Sequence, residues 1–353
     1  MKINGKQRSI AVLNHQDFDR YPMFDILAND AAIEYYAGRK LTVENGKEVV
    51  HAALENMVDA TRWIILYPQK EEKIVAEDGT IIEQKRWTAW YHRRFTLTID
   101  DVVKNVKSDI DFFSEPENVK KEAEALDGRI EEIARLRNEF KNVFIFGNYL
   151  IKTGLQLYAG IGLELFSYFI NDYPDLFDTY MKKGTAFKVQ VINTAKKISR
   201  FPAIFDCEDI ASKNGPLFSP IIMKKYFYPH LEMLVDAYHK KGVKFIFHTD
   251  GNVMPVLDEL VATGIDGLNP LEVIAGMNLK EIRKKHSRLI MIGGIDCSQL
   301  LPFGTPEQVK MAVKKAIEDA GPWYFPGSST ELHNNIPLDN IRIMVDTIRE
   351  TRP

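Results

Sequence analysis

A histidine and an aspartate two residues apart close one of the apolar runs of this chain, where Val243-Lys-Phe-Ile-Phe leads into His248-Thr-Asp250. Side chains alternate between the two faces of a strand, so Ile246, His248 and Asp250 are predicted to share one face. An imidazole and a carboxylate held side by side can serve as two ligands of one divalent metal ion. We therefore predict a metal site at this strand end, although a histidine–x–aspartate pair is also common by chance.

Polar side chains follow the other apolar runs in the same way. The residues with this placement are Asp25, Asn148, Tyr149, Glu208, Asp209, Glu272, Asp296 and Ser328. If the runs are parallel strands, their carboxyl ends meet at one face, where parallel barrels build their active sites. Simpler alternatives stay open, because an Asp or Asn after a strand often caps the next helix and His248 could be a hydrogen-bonded core residue.

The spacing of the apolar runs indicates the elements that would position these side chains. From about residue 140 onward, short apolar runs alternate with longer amphipathic segments, which predicts parallel strands separated by helices. The number of such units favours a (β/α)8 TIM barrel over an open sheet, with residues 21–27 as its first strand. The turn signal Glu77-Asp78-Gly79-Thr80 predicts a β-hairpin near residues 72–98. No Pro/Gly/Ser-rich linker divides the chain, so one domain over residues 1–353, with an N-terminal extension, is expected.

Composition excludes several classes of partner and compartment. The formal net charge of −3 argues against the phosphate backbone of a nucleic acid as a partner. The chain has two cysteines, Cys207 and Cys297, which is too few for a disulfide framework and fits a reducing compartment. The N-terminal residues lack the apolar core of a secretory signal, and no run approaches the roughly 18 apolar residues of a spanning helix. We expect a cytoplasmic protein with no membrane partner.

Sequence signatures of three enzyme classes are absent. The chain contains no G-x-S-x-G and no P-loop, and Gly160-Ile-Gly162 lacks the third glycine and the preceding strand of a dinucleotide fingerprint. Serine hydrolases, kinases and nicotinamide dehydrogenases are therefore excluded.

The chain resembles the uroporphyrinogen decarboxylase-like superfamily, whose fold is a (β/α)8 barrel. The resemblance is strongest over about residues 200–350. It rests on Ser219-Pro220, Gly242-Val-Lys-Phe-Ile-Phe-His248-Thr-Asp-Gly251, Gly264-Ile-Asp-Gly-Leu-Asn-Pro-Leu-Glu272, Gly276-Met277, Gly293-Gly-Ile-Asp296, Gly304-Thr-Pro-Glu307 and Asn340, and more loosely on Arg20-Tyr-Pro22.

Within that superfamily the resemblance points to a methyltransferase rather than a decarboxylase. The decarboxylases bind a polyanionic tetrapyrrole through an arginine-rich segment after the N-terminal Arg-x-Pro. Here the matching stretch, Met23-Phe-Asp-Ile-Leu-Ala-Asn29, has no arginine before Arg39. Such a substrate would meet no bidentate donors there.

The methyltransferase branch implies a metal and a set of ligands. Members that act on thiols bind zinc through a His-x-Cys pair, a later cysteine and a glutamate. Carried over, His248 and Glu272 match the histidine and the glutamate, whereas Asp250 and Ser328 stand where the cysteines would be. This implies a zinc or other divalent site with harder ligands, His248, Asp250, Glu272 and Ser328, to which the nearby Cys297 could add a thiolate.

Oxygen ligands suit a substrate that is not a thiol. Related proteins of anaerobic metabolism are the first methyltransferases of O-demethylase systems, which move methyl from an aryl methyl ether to the Co(I) of a separate corrinoid protein. The resemblance thus implies a metal-assisted methyltransferase with a corrinoid partner, in which a Lewis acid helps the phenolate to leave. Aromatic residues near the strand ends could line an aryl pocket or belong to the core: Trp87, Trp90, Tyr91, Tyr149 and Tyr158.

Roles for the remaining candidates follow from this interpretation. Glu208, Asp209 and Asn148 are expected to orient the substrate or protonate the leaving oxygen, with Asp25 in the same catalytic group, and Tyr149 and Asp296 are assigned to cofactor binding. No D-x-H-x-x-G motif for a corrinoid occurs, so the cofactor is expected on a partner protein docked over the barrel. A homodimer is possible. Three alternatives stay open: methyl transfer from a methylcorrinoid to an acceptor, uroporphyrinogen decarboxylation, and a non-catalytic corrinoid-binding barrel.

Overall fold

A curled parallel sheet is the centre of the computed structural model, which describes residues 3–77, 79–92, 97–148 and 154–353. Seven strands hydrogen-bond in the order β2-β6-β7-β10-β11-β12-β13. The strands of the described chain are β1 Leu27–Ala28, β2 Ala60–Arg62, β3 Glu72–Val75, β4 Ile81–Gln84, β5 Ala89–His92, β6 Phe144–Asn148, β7 Ala203–Cys207, β8 Ala211–Ser212, β9 Gly215–Pro216, β10 Lys244–His248, β11 Gly267–Asn269, β12 Ile290–Ile295, β13 Tyr324–Ser328 and β14 Leu332–His333.

The segment around Phe24 closes the sheet into a barrel. Phe24 forms a parallel bridge with Ala60 of β2, and its backbone N–H donates to the carbonyl of Pro326 in β13 at 3.1 Å. The N–H of Asp25 then donates to the carbonyl of Ala60 at 3.3 Å. Both edges of the sheet are therefore paired by one segment, which confirms the predicted TIM barrel, although the predicted first strand in residues 21–27 takes the form of an isolated bridge at Phe24.

Helices surround the barrel and connect its strands. In the described chain they are α1 Gly5–Leu13, α2 Asp30–Ala37, α3 Gly46–Met57, α4 Ile99–Ser114, α5 Pro116–Glu139, α6 Leu157–Ile161, α7 Leu163–Asp172, α8 Pro174–Thr194, α9 Pro220–Ile222, α10 Tyr228–Lys240, α11 Leu257–Ala262, α12 Leu279–Lys285, α13 Leu300–Phe303, α14 Pro306–Ala320 and α15 Leu338–Glu350. Local sequence sets their ends: Thr305 caps α14 in a capping box with Pro306 as the first helical residue. A π-turn over Met223–Phe227 joins α9 to α10.

Aromatic side chains fill the inside of the barrel. Phe146 of β6 contacts Phe205 of β7 and Phe325 of β13 at ring-centre distances of 4.8 and 5.8 Å, and Phe24 lies 5.4 Å from Phe205. Val12 and Leu13 of α1 belong to the same buried cluster. The N-terminal extension therefore covers the end of the barrel where the strands begin, and the opposite end, called the mouth here, is where the strands finish.

The predicted hairpin near residues 72–98 is present as the antiparallel pair β3–β4, and a third strand, β5, pairs with β4 to extend it into a three-stranded sheet. A second turn interrupts the strand-like residues 82–90, because the N–H of Lys85 donates to the carbonyl of Thr88 at 2.8 Å and reverses the chain between β4 and β5. The turn is anchored on α2, where Arg86 and Trp87 both donate to the carboxylate of Asp30, at 2.6 and 2.8 Å. Trp90 and Tyr91, 60% and 58% exposed, are not core residues.

Candidate metal centre at the barrel mouth

His248 is the last residue of β10 and points into the barrel mouth. Ile246, two residues earlier, belongs to the cluster inside the barrel, whereas Phe245 and Phe247 pack against the helices. Nδ1 of His248 lies 2.5 Å from the side-chain oxygen of Asn269. The Asn269 amide nitrogen donates to the carbonyl of Ile292 at 3.2 Å, which fixes the amide orientation. Nδ1 therefore carries the proton, and Nε2 is the nitrogen that can bind a metal ion.

Cys207 and Asp209 lie beside this imidazole. Cys207 is the residue of β7 directly opposite His248 in the parallel register, and it is two residues beyond Phe205 of the inner cluster. One ligand atom each from Cys207, Asp209 and His248 lie within 4.8 Å of one another. Asp209 was predicted as a site residue, whereas Cys207 was missed. The same period-of-two argument that oriented His248 would have found it, had the inward phase of β7 been known.

Asp250 extends this group with a carboxylate. Its Oδ1 lies 3.9 Å from Nε2 of His248, and its backbone N–H donates to Oδ1 of Asp209 at 3.3 Å. Oδ1 of Asp250 is buried and has no hydrogen-bond partner among the described residues. Burial, and then the nearby charges of Asp209, Glu272 and Glu331, raise the pKa of Asp250 to about 7. A cation would relieve this crowding of negative charge.

Glu272 is held next to Asp250 by two bends of the backbone. Oε2 of Glu272 accepts a hydrogen bond from the N–H of Gly251 at 2.6 Å. Gly251 has φ 87°, and a Cβ there would lie 2.6 Å from the carbonyl oxygen of Ser212, so glycine is required. Leu271, with φ 63°, makes the second bend. The structure thus places His248, Asp250 and Glu272 at one side of the mouth, and their binding of a metal stays a prediction.

Ser328 of β13 and Asp25, in the segment that closes the barrel beside β13, form a buried pair across the barrel from β7 and β10. The hydroxyl of Ser328 donates to Oδ1 of Asp25 at 2.6 Å, and its N–H donates to Oδ2 at 3.0 Å. Burial raises the pKa of Asp25 to about 7, although these hydrogen bonds oppose the shift. The predicted ligand Ser328, 2% exposed, therefore has its hydroxyl proton engaged by a carboxylate.

Glu208 follows β7 in phase with Ile204, which packs in the core between the barrel and the helices, and not in phase with the inward Cys207. It is 1% exposed. Its charge interacts with that of Lys188 on α8, and desolvation by burial lowers the pKa of this lysine, while Glu208, Asp206 and Asp109 oppose the change. The structure does not bring Glu208 into the group around His248, and its predicted role in orienting the substrate stays a prediction.

The remaining candidates are placed apart from this group or cannot be placed. The carboxylate of Asp296 accepts hydrogen bonds from the N–H groups of Ser298, Gln299 and Leu300 and so holds the turn that leads into α13. Burial alone would raise the pKa of Asp296, but these hydrogen bonds hold it below its usual value. The side chain of Asn148 and all of Tyr149 lie outside the described residues.

The donors at the mouth fit a zinc-type ion. One imidazole nitrogen, one thiol sulfur and one carboxylate oxygen are gathered together, and a second carboxylate has a buried oxygen without a hydrogen bond. Mixed nitrogen and sulfur ligands select zinc over magnesium or calcium, which prefer oxygen. The outer hydrogen bond from His248 to Asn269 is of the kind that orients metal-binding imidazoles.

Comparison with known proteins gives a family and a fold. The sequence model of the uroporphyrinogen decarboxylase (URO-D) family matches residues 99–351. Two relatives named methylcobamide:CoM methyltransferase MtbA are similar, one from Methanosarcina acetivorans with 28% identity over 123 residues and one from Methanosarcina mazei with 32% over 98 residues. The first match covers 35% of each protein and the second 28% of each, so the chain spans about a third of the relatives' length.

A solved structure described as a methyltransferase from Methanosarcina mazei shares the fold. It covers 99% of both chains with a TM-score of 0.62 and 17% sequence identity. Among the described residues, no helix is both long enough and apolar enough to cross a membrane.

Proposed function

Because the chain belongs to the uroporphyrinogen decarboxylase family, we propose that it is a corrinoid-dependent methyltransferase of that family. The names of the two Methanosarcina relatives support this assignment. We propose further that the donor is a small O-methyl compound, an aryl methyl ether, and that the acceptor is the Co(I) corrinoid of a separate partner protein. In this reaction the methyl–oxygen bond breaks, its electron pair leaves with the oxygen, and the Co(I) electron pair forms the new bond to carbon.

The observation that carries the proposal is the group formed by His248, Cys207 and Asp209 at the mouth, with Asp250 and Glu272 beside it. When bound there, zinc would act as a Lewis acid toward the ether oxygen and make it a better leaving group. His248 is oriented for this by Asn269, and the carboxylates concentrate negative charge where a cation would be held. Asp209 and Glu272 are fixed by backbone N–H groups, so the site is organised before the substrate binds.

The partner is proposed to dock over the mouth. In-line attack requires the cobalt and the methyl carbon to approach to roughly 3–3.5 Å, so the reacting groups must meet where the strands end. The opposite end of the barrel is covered by Val12 and Leu13 of α1. The antiparallel sheet β3–β5, anchored beside β1 through Asp30, is proposed to contact the docked protein. Asp25, Asn148 and Tyr149 are retained as proposed substrate or cofactor contacts.

Methyl transfer from a methylcorrinoid to an acceptor is the second candidate. It is favoured by the printed names of the relatives, which describe transfer from methylcobamide to CoM. Both reactions use the same mouth and the same partner cofactor. They differ in which molecule supplies the methyl group, so isolated half-reactions distinguish them.

The proposal is tested by incubating the purified protein with a panel of methoxyarenes, with and without a reduced corrinoid protein. We expect phenol release and methyl-Co(III) formation only when both are present, and loss of both in His248→Ala. A parallel incubation supplies methylated corrinoid protein and coenzyme M, and transfer there alone would establish the second candidate. Product formed at the same rate without the corrinoid protein, or decarboxylation of a porphyrinogen, would overturn the methyltransferase assignment.

A further inference from the structure

We propose that Cys207 is the thiolate ligand of the metal in this chain, together with His248 and Asp209. This ligand set differs from His248, Asp250, Glu272 and Ser328, the set expected from the sequence. The inference concerns metal binding and rests on the proposed function only for the use to which the metal is put.

Strand register places Cys207 and His248 at one level of the barrel. The pairs Phe205–Ile246 and Cys207–His248 are opposite one another on the adjacent strands β7 and β10. Phe205 and Ile246 are both inside the barrel, so the residues two positions later also point inward. The sulfur and the imidazole are thus side by side as a consequence of the sheet, with no loop conformation required.

The backbone that carries Cys207 and Asp209 is held in place. The amide nitrogen of Gln156 donates to the carbonyl of Cys207 at 3.0 Å, and the hydroxyl of Tyr158 donates to the carbonyl of Asp209. The N–H of Glu208 continues the strand ladder by donating to the carbonyl of His248 at 3.0 Å. Ligands fixed in this way lose little conformational freedom when a metal binds.

One of the expected ligands, Ser328, donates its hydroxyl proton to Asp25, and another, Glu272, does not lie in the group of ligand atoms that Cys207, Asp209 and His248 form. Asp250, whose Oδ1 lies 3.9 Å from Nε2 of His248, is placed as a neighbouring or fourth ligand.

Charge and donor type agree with this assignment. A bound cation deprotonates a coordinating thiol, so Cys207 and Asp209 would each carry one negative charge while His248 stays neutral. That balances a divalent ion. Sulfur and nitrogen donors favour Zn²⁺ or Co²⁺ over Mg²⁺.

The test is a titration of the metal-free protein with Co²⁺, read by the near-ultraviolet charge-transfer band from thiolate to cobalt. We expect this band at one equivalent in the wild type and in Cys297→Ser, which removes the other cysteine of the chain. Cys207→Ser should lose the band and bind the metal at least about 100-fold more weakly, more than the loss of an outer-shell partner costs. Circular dichroism establishes that each variant is folded.

A second measurement needs no substitution. Zinc should protect Cys207 of the wild-type protein from alkylation, detected by mass spectrometry, and X-ray absorption should show one sulfur at about 2.3 Å from zinc. The inference would be overturned if the wild type bound no metal, or bound one equivalent of metal without a sulfur ligand. It would also be overturned if the Cys207→Ser variant kept the cobalt band. None of these measurements uses substrate or corrinoid, so metal binding through Cys207 without methyl transfer would overturn the proposed function alone.

Discussion

The imidazole Nδ1 of His248 and the side-chain oxygen of Asn269 are 2.5 Å apart, on the neighbouring strands β10 and β11. This contact decides which nitrogen of the ring faces the mouth. The chain runs from Asn269 through Pro270 and Leu271 to Glu272, so one short stretch carries both the partner of His248 and the carboxylate that accepts from Gly251.

Replacing Asn269 should therefore weaken metal binding without removing a ligand. We expect Asn269→Leu to lower the affinity for zinc by about 10–100-fold, the usual effect of losing an outer-shell partner of a metal-binding histidine. Competition with a chromophoric chelator measures this. Asn269→Asp keeps an acceptor for Nδ1 and should retain most of the affinity, and equal losses in the two variants would contradict the role given to the hydrogen bond.

The adjacent residues Glu208 and Asp209 should behave in opposite ways. Asp209→Asn should weaken metal binding and lower kcat/KM while leaving the free energy of unfolding nearly unchanged, because Asp209 lies with His248. Glu208→Gln should reduce stability by about 1–3 kcal/mol, since it removes a buried charge that compensates Lys188. Urea unfolding and steady-state kinetics provide the two readouts.

Glu208→Gln also tests whether Glu208 orients the substrate. Once its loss of stability is allowed for, a kcat/KM within about twofold of wild type, or under ~0.4 kcal/mol, would be inconsistent with that role. A larger loss of kcat/KM with unchanged cobalt binding would support it.

The Asp25–Ser328 pair predicts a pH-dependent stability in the metal-free protein. The pKa of Asp25 in the folded chain, about 7, lies above its ordinary value of 3.8. Between these values the folded chain holds a proton that the unfolded chain has released, so this group's contribution to stability falls as the pH rises from about 4 to about 7.

Removing the hydroxyl of Ser328 should make the free energy of unfolding fall more steeply as the pH rises. The hydrogen bond from Ser328 favours the carboxylate, so Ser328→Ala should cost about 1 kcal/mol at about pH 6 and about 2–3 kcal/mol at about pH 8. Denaturant unfolding at both pH values measures the difference. Ser329→Ala is the matched control, because the Ser329 hydroxyl donates to the sulfur of Cys297 instead and its effect should not change with pH.

Asp250→Asn should move stability and metal affinity in opposite directions. The raised pKa of Asp250, about 7 against an ordinary 3.8, means that its ionisation destabilises the metal-free fold as the pH rises through this range. Its side chain is 46% exposed, so after solvent screening we expect the variant to be more stable by about 1 kcal/mol at about pH 8. The same variant should bind zinc more weakly. A variant with lower stability at this pH would contradict the electrostatic account.

Much of the architecture follows from local patterns in the sequence. The alternation of apolar runs predicted the parallel strands, and the period of two predicted that Ile246 and His248 share one face, opposite to Phe245 and Phe247. Ser219 caps α9 with Pro220 as the first helical residue, and Gly242 follows the end of α10, which are the residue types that local helix signals favour at these positions. The π-turn between α9 and α10 had no sequence signal, because it depends on packing.

What the sequence could not supply was the relation between strands. In β7 the inward Ala203 and Phe205 alternate with the apolar Ile204, so both faces of the strand begin apolar and the inward phase of Cys207 depends on the register with β10. The pairing of Asp25 with Ser328 joins residues 303 apart and exists only after the barrel closes. A break after Gln84 was hidden for a similar reason, since β-favouring residues continue on both sides of the turn.

In the part of the chain that the structure describes, α1 covers the end of the barrel where the strands begin, so substrate and partner would both approach from the mouth. A small donor and a protein carrying a corrinoid would then have to pass through the same opening, and the larger of them blocks it while docked. The kinetics should accordingly be ordered: the donor enters first, and the demethylated product escapes only after the partner departs. Excess partner would then slow turnover by trapping the product, a pattern of inhibition that a barrel open at both ends would not produce.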